Sequence, residues 1–205
     1  GLLLKINGNE VWVKLIGTFN AYNLLAIYGT AIELGMESLE ALRLLSELES
    51  VSGRFQYIVS EANITAIVDY AHTPDALENV LKTINDIRTK NEQLITVVGC
   101  GGNRDKAKRP VMGGIASELS DKAILTSDNP RNEDATVIIS EMEQGVAPQN
   151  FKRILSITDR KQAIKIACQL AQPNDIILIA GKGHETYQEI EGVRHDFDDM
   201  KIVKE

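Results

Sequence analysis

The sequence predicts an α/β fold, namely a Rossmann-like, mainly parallel sheet with helices on both faces and a C-terminal hairpin. Three observations predict it. From about residue 52 onward, short apolar runs alternate with amphipathic helical patterns, as in strands joined by crossover helices. The runs TVVG, AILT and IILIA are apolar throughout, which is typical of strands covered on both faces. Polar segments rich in glycine or proline follow four of the strands, where loops leave a parallel sheet.

The first part of the chain predicts a hairpin and two helices instead. GLLLKINGNEVWVKLIG reads as a strand pair with an NGN turn. Apolar residues at helical spacing predict a helix over Leu24–Leu34, and a second amphipathic helix begins near Ser38. ESVSGR then interrupts the pattern, so we place a domain boundary near Val51 and expect domains at 1–50 and 51–205. The chain does not open on methionine, and we expect it to be cut from a longer protein.

The second part carries the alternating pattern. The predicted strands lie in NITAIVD, QLITVVG, KAILTS, RILSI and DIILIAG. The predicted helices cover TPDALENVLKTINDI, Pro110–Leu119, about Ala135–Met142 and Arg160–Ala171. The first of these helices has Thr73 as its N-cap and Pro74 at its first position. A closing hairpin joins TYQEI to VRHDF through a turn at Glu191 and Gly192.

Composition excludes several classes of protein. The chain has 205 residues, of which 43% are hydrophobic and 25% charged, as in ordinary globular proteins. A net charge of -7 and a pI near 5.1 argue against a nucleic-acid or membrane-surface binder. No apolar run approaches the roughly 20 residues of a membrane span. Two cysteines indicate a reducing, cytoplasmic setting, and the scattered histidines match no zinc spacing.

Four loops carry the candidate chemistry. They are DYAHTPD at 69–75, GCGGNRDKAKRP at 99–110, SDNPR at 127–131 and AGKGHE at 180–185. Because the carboxyl ends of parallel strands share one edge of a sheet, we expect these loops to meet there. Four such loops at one edge indicate a ligand-binding site more strongly than any single loop does.

Each loop allows two interpretations. Asp69 and His72 suit a ribose and a base or phosphate, or else form a helix cap with a solvated histidine. The glycines and cations of the second loop suit an anion, although the loop matches neither GxGxxG nor GxxxxGK[ST] and could be a solvated basic loop. SDNPR alone reads as a polar turn with an exposed arginine. AGKGHE could hold an amino group through Glu185, or be a strand end entering a hairpin.

Taken together, the segments closely resemble the Mur ligase family of peptidoglycan synthesis. The resemblance is carried in order by GTFNAYNLLAI, SGRF, VDYAHTPDALENVL, GCGGNRDKAKRPVMG, SDNPR and AGKGHE, and covers essentially the whole chain. DNPR together with GKGHE resembles the type that adds meso-diaminopimelate. The resemblance implies that 1–50 is the tail of a central ATP-binding domain, and that 51–205 is the C-terminal domain.

The resemblance also implies a reaction and its partners. Family members use ATP to phosphorylate a terminal carboxylate, and an amine then attacks the acyl phosphate to form an amide. The implied partners are ATP, meso-diaminopimelate and a UDP-N-acetylmuramoyl dipeptide, with Mg²⁺ as cofactor. The chain has no GxxxxGK[ST], and the family's magnesium ligands and modified lysine cannot be assigned in it, so we expect the chain alone to be inactive.

By the same resemblance, particular residues receive roles. Arg131 grips the distal carboxylate of diaminopimelate, and its planar fork matches that group bidentately. The implied amino-acid pocket consists of Arg104, Asp128, Asn129, Pro130, Arg131, Gly181 and Glu185. Within it, Asp128 and Asn129 take polar hydrogens of the ligand and Glu185 pairs with an ammonium. The implied ATP contacts are Arg54, Asp69 and His72.

Two alternatives stay open. A non-catalytic Rossmann-type module for nucleotides or anions would use the same sheet and loops without an amino-acid pocket. A ligase like folylpolyglutamate synthetase shares the domain plan, although DNPR beside GKGHE speaks against it.

Overall fold

A computed structural model describes residues 1–205, which divide into two compact units, Gly1–Val51 and Ser52–Glu205. In the first unit, the strands β1 (Leu2–Ile6) and β2 (Asn9–Val13) form an antiparallel hairpin, followed by the helices α1 (Thr18–Glu33) and α2 (Ser38–Glu47). The predicted hairpin and both helices are therefore present. The core of this unit consists of Val11, Val13, Leu24, Tyr28, Ala41, Leu42 and Leu45.

The second unit contains the alternating elements. Its strands are β3 (Gln56–Val59), β4 (Thr65–Asp69), β5 (Leu94–Cys100), β6 (Lys122–Ser127), β7 (Ile154–Ser156), β8 (Ile176–Ala180), β9 (Tyr187–Ile190) and β10 (Val193–Asp196). Its helices are α3 (Pro74–Ile87), α4 (Lys108–Leu119), α5 (Ala135–Glu143), α6 (Arg160–Leu170) and α7 (Asp199–Val203), with a 3-10 turn at Pro148–Arg153. None of the chain's helices is long and apolar enough to cross a membrane.

The central sheet has six strands in the order β3-β4-β8-β5-β6-β7. All neighbouring pairs are parallel except β3 and β4, so the predicted mainly parallel sheet is confirmed. The hairpin of β9 and β10 is also present. Three elements were not predicted: the antiparallel edge strand β3, the 3-10 turn at Pro148–Arg153 and the short helix α7.

Helices cover both faces of this sheet, as predicted. Ile95 and Val97 of β5 pack with Ile164 and Ala167 of α6 in one continuous core. Because side chains alternate along a strand, Leu94, Thr96 and Val98 point to the opposite face, on which α4 lies. α3 begins as predicted, with the Thr73 hydroxyl accepting a hydrogen bond from the Ala76 amide.

The strand order determines which loops become neighbours. The chain passes from β4 through α3 to β5, moves outward to β6 and β7, and returns through α6 to place β8 between β4 and β5. The loops that follow β4, β8, β5 and β6 therefore lie side by side. A crevice at the carboxyl ends of strands, where the strand order reverses, is where open α/β sheets bind ligands.

Candidate ligand-binding site at the sheet edge

The four loops enclose a cavity of about 300 Å³ at this edge. It is lined by Tyr70, His72, Gly99, Gly101, Arg104, Lys108, Asp128, Asn129, Arg131, Gly181, Glu185 and Tyr187. Every one of the four predicted loops contributes to this lining. Three cationic side chains and two carboxylates face a small volume, so the cavity suits a ligand that carries charges of both signs.

Most of the residues predicted for the amino-acid pocket come together here. Arg104, Asp128, Asn129, Arg131, Gly181 and Glu185 all line the cavity, and so does His72. Pro130 does not: it is buried against Gly102 and lines a neighbouring cavity. Arg54 and Asp69 also lie outside the lining.

Arg131 reaches the cavity from the loop after β6. Its backbone is left-handed, with φ at 51°, which is uncommon for a residue with a side chain. Its Nη1 donates a hydrogen bond of 2.8 Å to the Gly102 carbonyl, and its Nε lies 3.5 Å from the Glu189 carboxylate. Nη2 makes no hydrogen bond to the protein, which leaves this nitrogen for a ligand.

Gly102 allows this loop and the loop after β5 to touch. The Gly102 amide donates to the Asn129 carbonyl at 2.8 Å. A Cβ atom at Gly102 would lie 1.9 Å from the Pro130 carbonyl oxygen, a distance no side chain tolerates. Glycine is therefore required for the close approach that brings Arg131 beside Gly101 and Gly102.

The cationic side chains of the loop at 99–110 form two groups. Arg104 and Lys108 line the cavity, and Lys108 Nζ donates to the His72 carbonyl at 2.7 Å. Arg109 is fully buried and is paired with two carboxylates, Glu133 at 2.9 and 3.0 Å and Glu141 at 2.5 Å. Arg109 therefore holds structure together rather than facing a ligand.

Glu133 is the centre of that structural network. Besides Arg109, it accepts the Asn103 amide at 2.5 Å, and Lys106 Nζ lies 3.1 Å from it. These donors, Arg109 foremost, lower the pKa of Glu133 to about 2. The network ties the loop that carries Arg104 to the loop that carries Arg131.

The last loop places a carboxylate opposite the cations. Gly181 has a φ of 118°, and a Cβ there would lie 2.7 Å from the Asp128 carboxylate. Glu185 accepts the Asn129 side-chain amide at 2.8 Å and the Lys182 ammonium at 3.1 Å. Sequence reasoning did not single out Lys182, and the one available signal was a lysine between two glycines after a buried strand.

The residues predicted to contact ATP gather around Tyr70. The Arg54 guanidinium lies 4.9 Å from the centre of the Tyr70 ring, and the His72 ring centre lies 4.5 Å from it. The Asp69 carboxylate is buried and accepts the Phe55 amide at 2.7 Å. Burial raises the pKa of Asp69 above its usual range. Whether these residues contact a nucleotide stays a prediction.

The structure does not support a cysteine nucleophile or a metal site in this chain. Cys100 is buried beside Met112, and burial raises the pKa of its thiol to about 12, so it is a poor nucleophile. No group of three or more His, Cys, Asp or Glu side chains in the chain is arranged to hold a metal ion.

Fold and cavity together define a class: an α/β domain with a cavity of mixed charge at the reversal point of its sheet. The match to known proteins is more specific. The family described as "Mur ligase, glutamate ligase domain" matches residues 53–183, and the chain belongs to the Mur ligase family.

Individual relatives cover the whole chain. The UDP-N-acetylmuramoyl-L-alanyl-D-glutamate--2,6-diaminopimelate ligase of Cytophaga hutchinsonii is 58% identical over 205 residues, and that of Parabacteroides distasonis is 57% identical. A solved structure of a ligase with this name, 43% identical, superposes with a TM-score of 0.72 over 98% of the chain and 41% of its own. The chain spans 42% of the length of the two curated relatives.

Proposed function

We propose that this chain is part of an ATP-dependent ligase that adds meso-diaminopimelate to UDP-N-acetylmuramoyl-L-alanyl-D-glutamate. In this proposal, the cavity at the sheet edge holds the incoming amino acid. The observation that carries the proposal is the set of charged side chains that line the cavity: Arg104, Lys108 and Arg131 together with Asp128 and Glu185. The names of the relatives support the same substrate pair.

The charges match diaminopimelate better than other amino acids. This ligand carries two carboxylates and two ammonium groups, one of each at either end. Arg131 offers its Nη2 to the distal carboxylate, and Arg104 offers a second cation. Glu185 and Asp128 offer acceptors to an ammonium. Lysine lacks the distal carboxylate, so it would leave Nη2 of Arg131 without a partner in the ligand.

The nucleotide part of the proposal rests on the cluster around Tyr70. Arg54 presents a cation and Tyr70 a ring face on the side of the cavity where His72 and Lys108 lie. These groups fit a phosphate and an aromatic base. ATP, when bound, would supply the phosphoryl group that activates the dipeptide's carboxylate. No carboxylate cluster of the chain fits Mg²⁺, so we derive no step through that ion.

The remaining role of this chain is to orient the attacking amine. Ion pairs at both ends of the ligand restrict its position, and such positioning lowers the barrier of a bimolecular step. A cytoplasmic setting is part of the proposal, and it is supported by two cysteines that are both free.

The decisive experiment measures phosphate release by the full-length protein with ATP and the UDP-linked dipeptide. We expect release to depend on meso-diaminopimelate and to be far weaker with L-lysine or L-glutamate. Release that depends on glutamate instead would favour a ligase like folylpolyglutamate synthetase. No release with any amino acid, together with nucleotide binding, would favour the non-catalytic module.

A further inference from the structure

Lys182 is a lysine whose side chain is completely buried beneath the cavity. It is the second residue after β8 and lies between Gly181 and Gly183, both of which have a positive φ. It does not line the cavity itself. Burying a cation is costly unless it is paired and hydrogen-bonded, so its partners indicate its purpose.

Lys182 has two polar partners, and both line the cavity. Its Nζ lies 3.0 Å from Asn129 Oδ1 and 3.1 Å from Glu185 Oε2. It also lies 5.5 Å from the centre of the Tyr187 ring, which lines the cavity too. One buried ammonium group therefore contacts three residues that a ligand would meet.

These contacts determine how Asn129 and Glu185 are oriented. Asn129 Oδ1 accepts from both Lys182 and the Glu189 amide, the latter at 2.9 Å. With its oxygen held in this way, the amide must turn its Nδ2 toward Glu185 Oε2, which lies 2.8 Å away. Glu185 Oε2 thus receives two donors, while its Oε1 makes no hydrogen bond to the protein.

We propose that Lys182 is a positioning residue for substrate binding. It fixes the Glu185 carboxylate and the Asn129 amide so that the cavity presents one free carboxylate oxygen to an ammonium group of the incoming amino acid. The proposal rests on the function proposed above, because it takes that amino acid as the occupant of the cavity. It adds a residue that acts through Glu185 and Asn129 without touching the ligand.

The first test replaces Lys182 by methionine, which keeps the length of the side chain and removes its charge and donors. In the full-length ligase, Lys182→Met should raise the KM for meso-diaminopimelate at least about 10-fold, as expected for the loss of a hydrogen bond to a charged group. The KM for ATP should stay within about 3-fold, because the loss is confined to the amino-acid end. Lys165→Met, on the exposed surface of α6, is the matched control and should change neither constant.

The second test is a double-mutant cycle with Glu185→Gln, which also covers the case in which Lys182→Met alone does not fold. If Lys182 acts through Glu185, then adding Lys182→Met to Glu185→Gln should raise the KM for diaminopimelate by less than about 3-fold. A further rise of 10-fold or more in that background would overturn the proposed route through Glu185.

Three other outcomes would also overturn the proposal. A loss shared by diaminopimelate and ATP, together with a lowered unfolding temperature, would make Lys182 a structural lysine and overturn its positioning role. An unchanged KM in Lys182→Met, in a wild-type enzyme that uses diaminopimelate, would overturn this inference alone. A wild-type enzyme without diaminopimelate-dependent turnover would overturn the proposed function as well.

Discussion

Arg131 is held in an uncommon backbone conformation by the hairpin of β9 and β10. Its amide donates to the Glu189 carbonyl at 3.0 Å, and its carbonyl accepts the Glu191 amide at 2.8 Å. Its Nη1 donates a hydrogen bond to the Gly102 carbonyl, and its Nε lies near the Glu189 carboxylate. A guanidinium fixed before binding loses little freedom when a carboxylate arrives, which favours affinity and selectivity.

Arg131→Ala should therefore weaken diaminopimelate binding in the full-length ligase. Loss of one partner of a desolvated charge pair costs about 2–5 kcal/mol. The KM for diaminopimelate should rise roughly 30-fold or more, at about 1.4 kcal/mol per decade. The KM for ATP should move far less, and the poor use of lysine should hardly worsen. Steady-state kinetics with the three substrates would measure this.

Arg153→Ala, at the 3-10 turn and outside the cavity, is the matched arginine control. A uniform loss for diaminopimelate, lysine and ATP would assign Arg131 a role in folding. An unchanged preference for diaminopimelate over lysine would contradict its proposed role in selecting the substrate.

At the residue scale, sequence reasoning found the cavity residues that directly follow buried strands. Asp128, Arg131 and Gly181 follow strands whose apolar runs are unmistakable, so their place at the sheet edge could be predicted. Lys182 could not be predicted, because its burial depends on Asn129, which lies 53 positions earlier in the chain. Local pattern carries no information on such a partner.

At the scale of elements, α4 joins two loops of the cavity through Arg109 and Glu133. In the folded protein, Arg109, the Asn103 amide and Lys106 lower the pKa of Glu133 to about 2. The pKa of a glutamate in an unfolded chain is about 4.3. A carboxylate with a lowered folded pKa stabilises the fold above its unfolded pKa. That contribution is lost as the pH falls through the folded pKa.

Glu133→Gln should consequently lower the unfolding temperature at pH 7. The difference from the wild type should shrink as the pH falls from about 4.5 toward about 2, because the wild-type side chain then becomes protonated and is uncharged, as glutamine is. Thermal unfolding followed by circular dichroism at pH 7, 4 and 2.5 would measure this. Glu118→Gln, on the exposed face of α4 and without an ion pair, is the control. A difference that is constant with pH would contradict the argument.

The helices α6 and α7 are joined by an ion pair that is fully buried on both sides. Arg160 meets the Asp199 carboxylate with two hydrogen bonds, at 2.8 and 2.7 Å. Its Nη2 also donates to the Ala180 carbonyl at 3.1 Å, directly before Gly181. Its Nη1 has no hydrogen-bond partner, and the Asp199 carboxylate is the one acidic group that pairs with this guanidinium.

Asp199→Ala should therefore lower the free energy of unfolding by about 3–5 kcal/mol, since it leaves a buried guanidinium unpaired. Urea denaturation of the chain would measure this. Asp196→Ala, on the exposed strand β10, should stay within about 0.5 kcal/mol of the wild type. A loss below about 1 kcal/mol in Asp199→Ala would show that water reaches Arg160 and that the pair is not structurally important.

The elements that sequence reasoning missed are short and lie at the margins of the fold. β3 has four residues and α7 has five, too few for a hydrophobic period to be recognised. The position of β8 between β4 and β5 could not be read from local pattern either, because it depends on where α6 crosses the sheet. The long, apolar strands and the capped helix α3 were predicted correctly.

At the scale of the whole molecule, the two units each have a core of their own. The first is built around Leu24 and Tyr28, and the second around the central sheet. The cavity and all the residues assigned to the amino acid belong to the second unit. The assignment of the first unit to the end of a central ATP-binding domain stays a prediction, carried by the resemblance of GTFNAYNLLAI.

The distribution of functional groups predicts how the 205-residue chain will behave by itself. It contains no GxxxxGK[ST] motif to hold the phosphates of ATP and no side-chain cluster arranged for a metal ion. With ATP, diaminopimelate and the UDP-linked dipeptide, the chain should release phosphate no faster than buffer, whereas the full-length protein should show diaminopimelate-dependent release. Because the cavity lies wholly within the chain, isothermal titration can separately test whether diaminopimelate binds to it. Circular dichroism must show that the chain is folded in the same buffer. Phosphate release by the chain alone would mean that it holds a complete nucleotide site, and that the assignment of its domains is wrong.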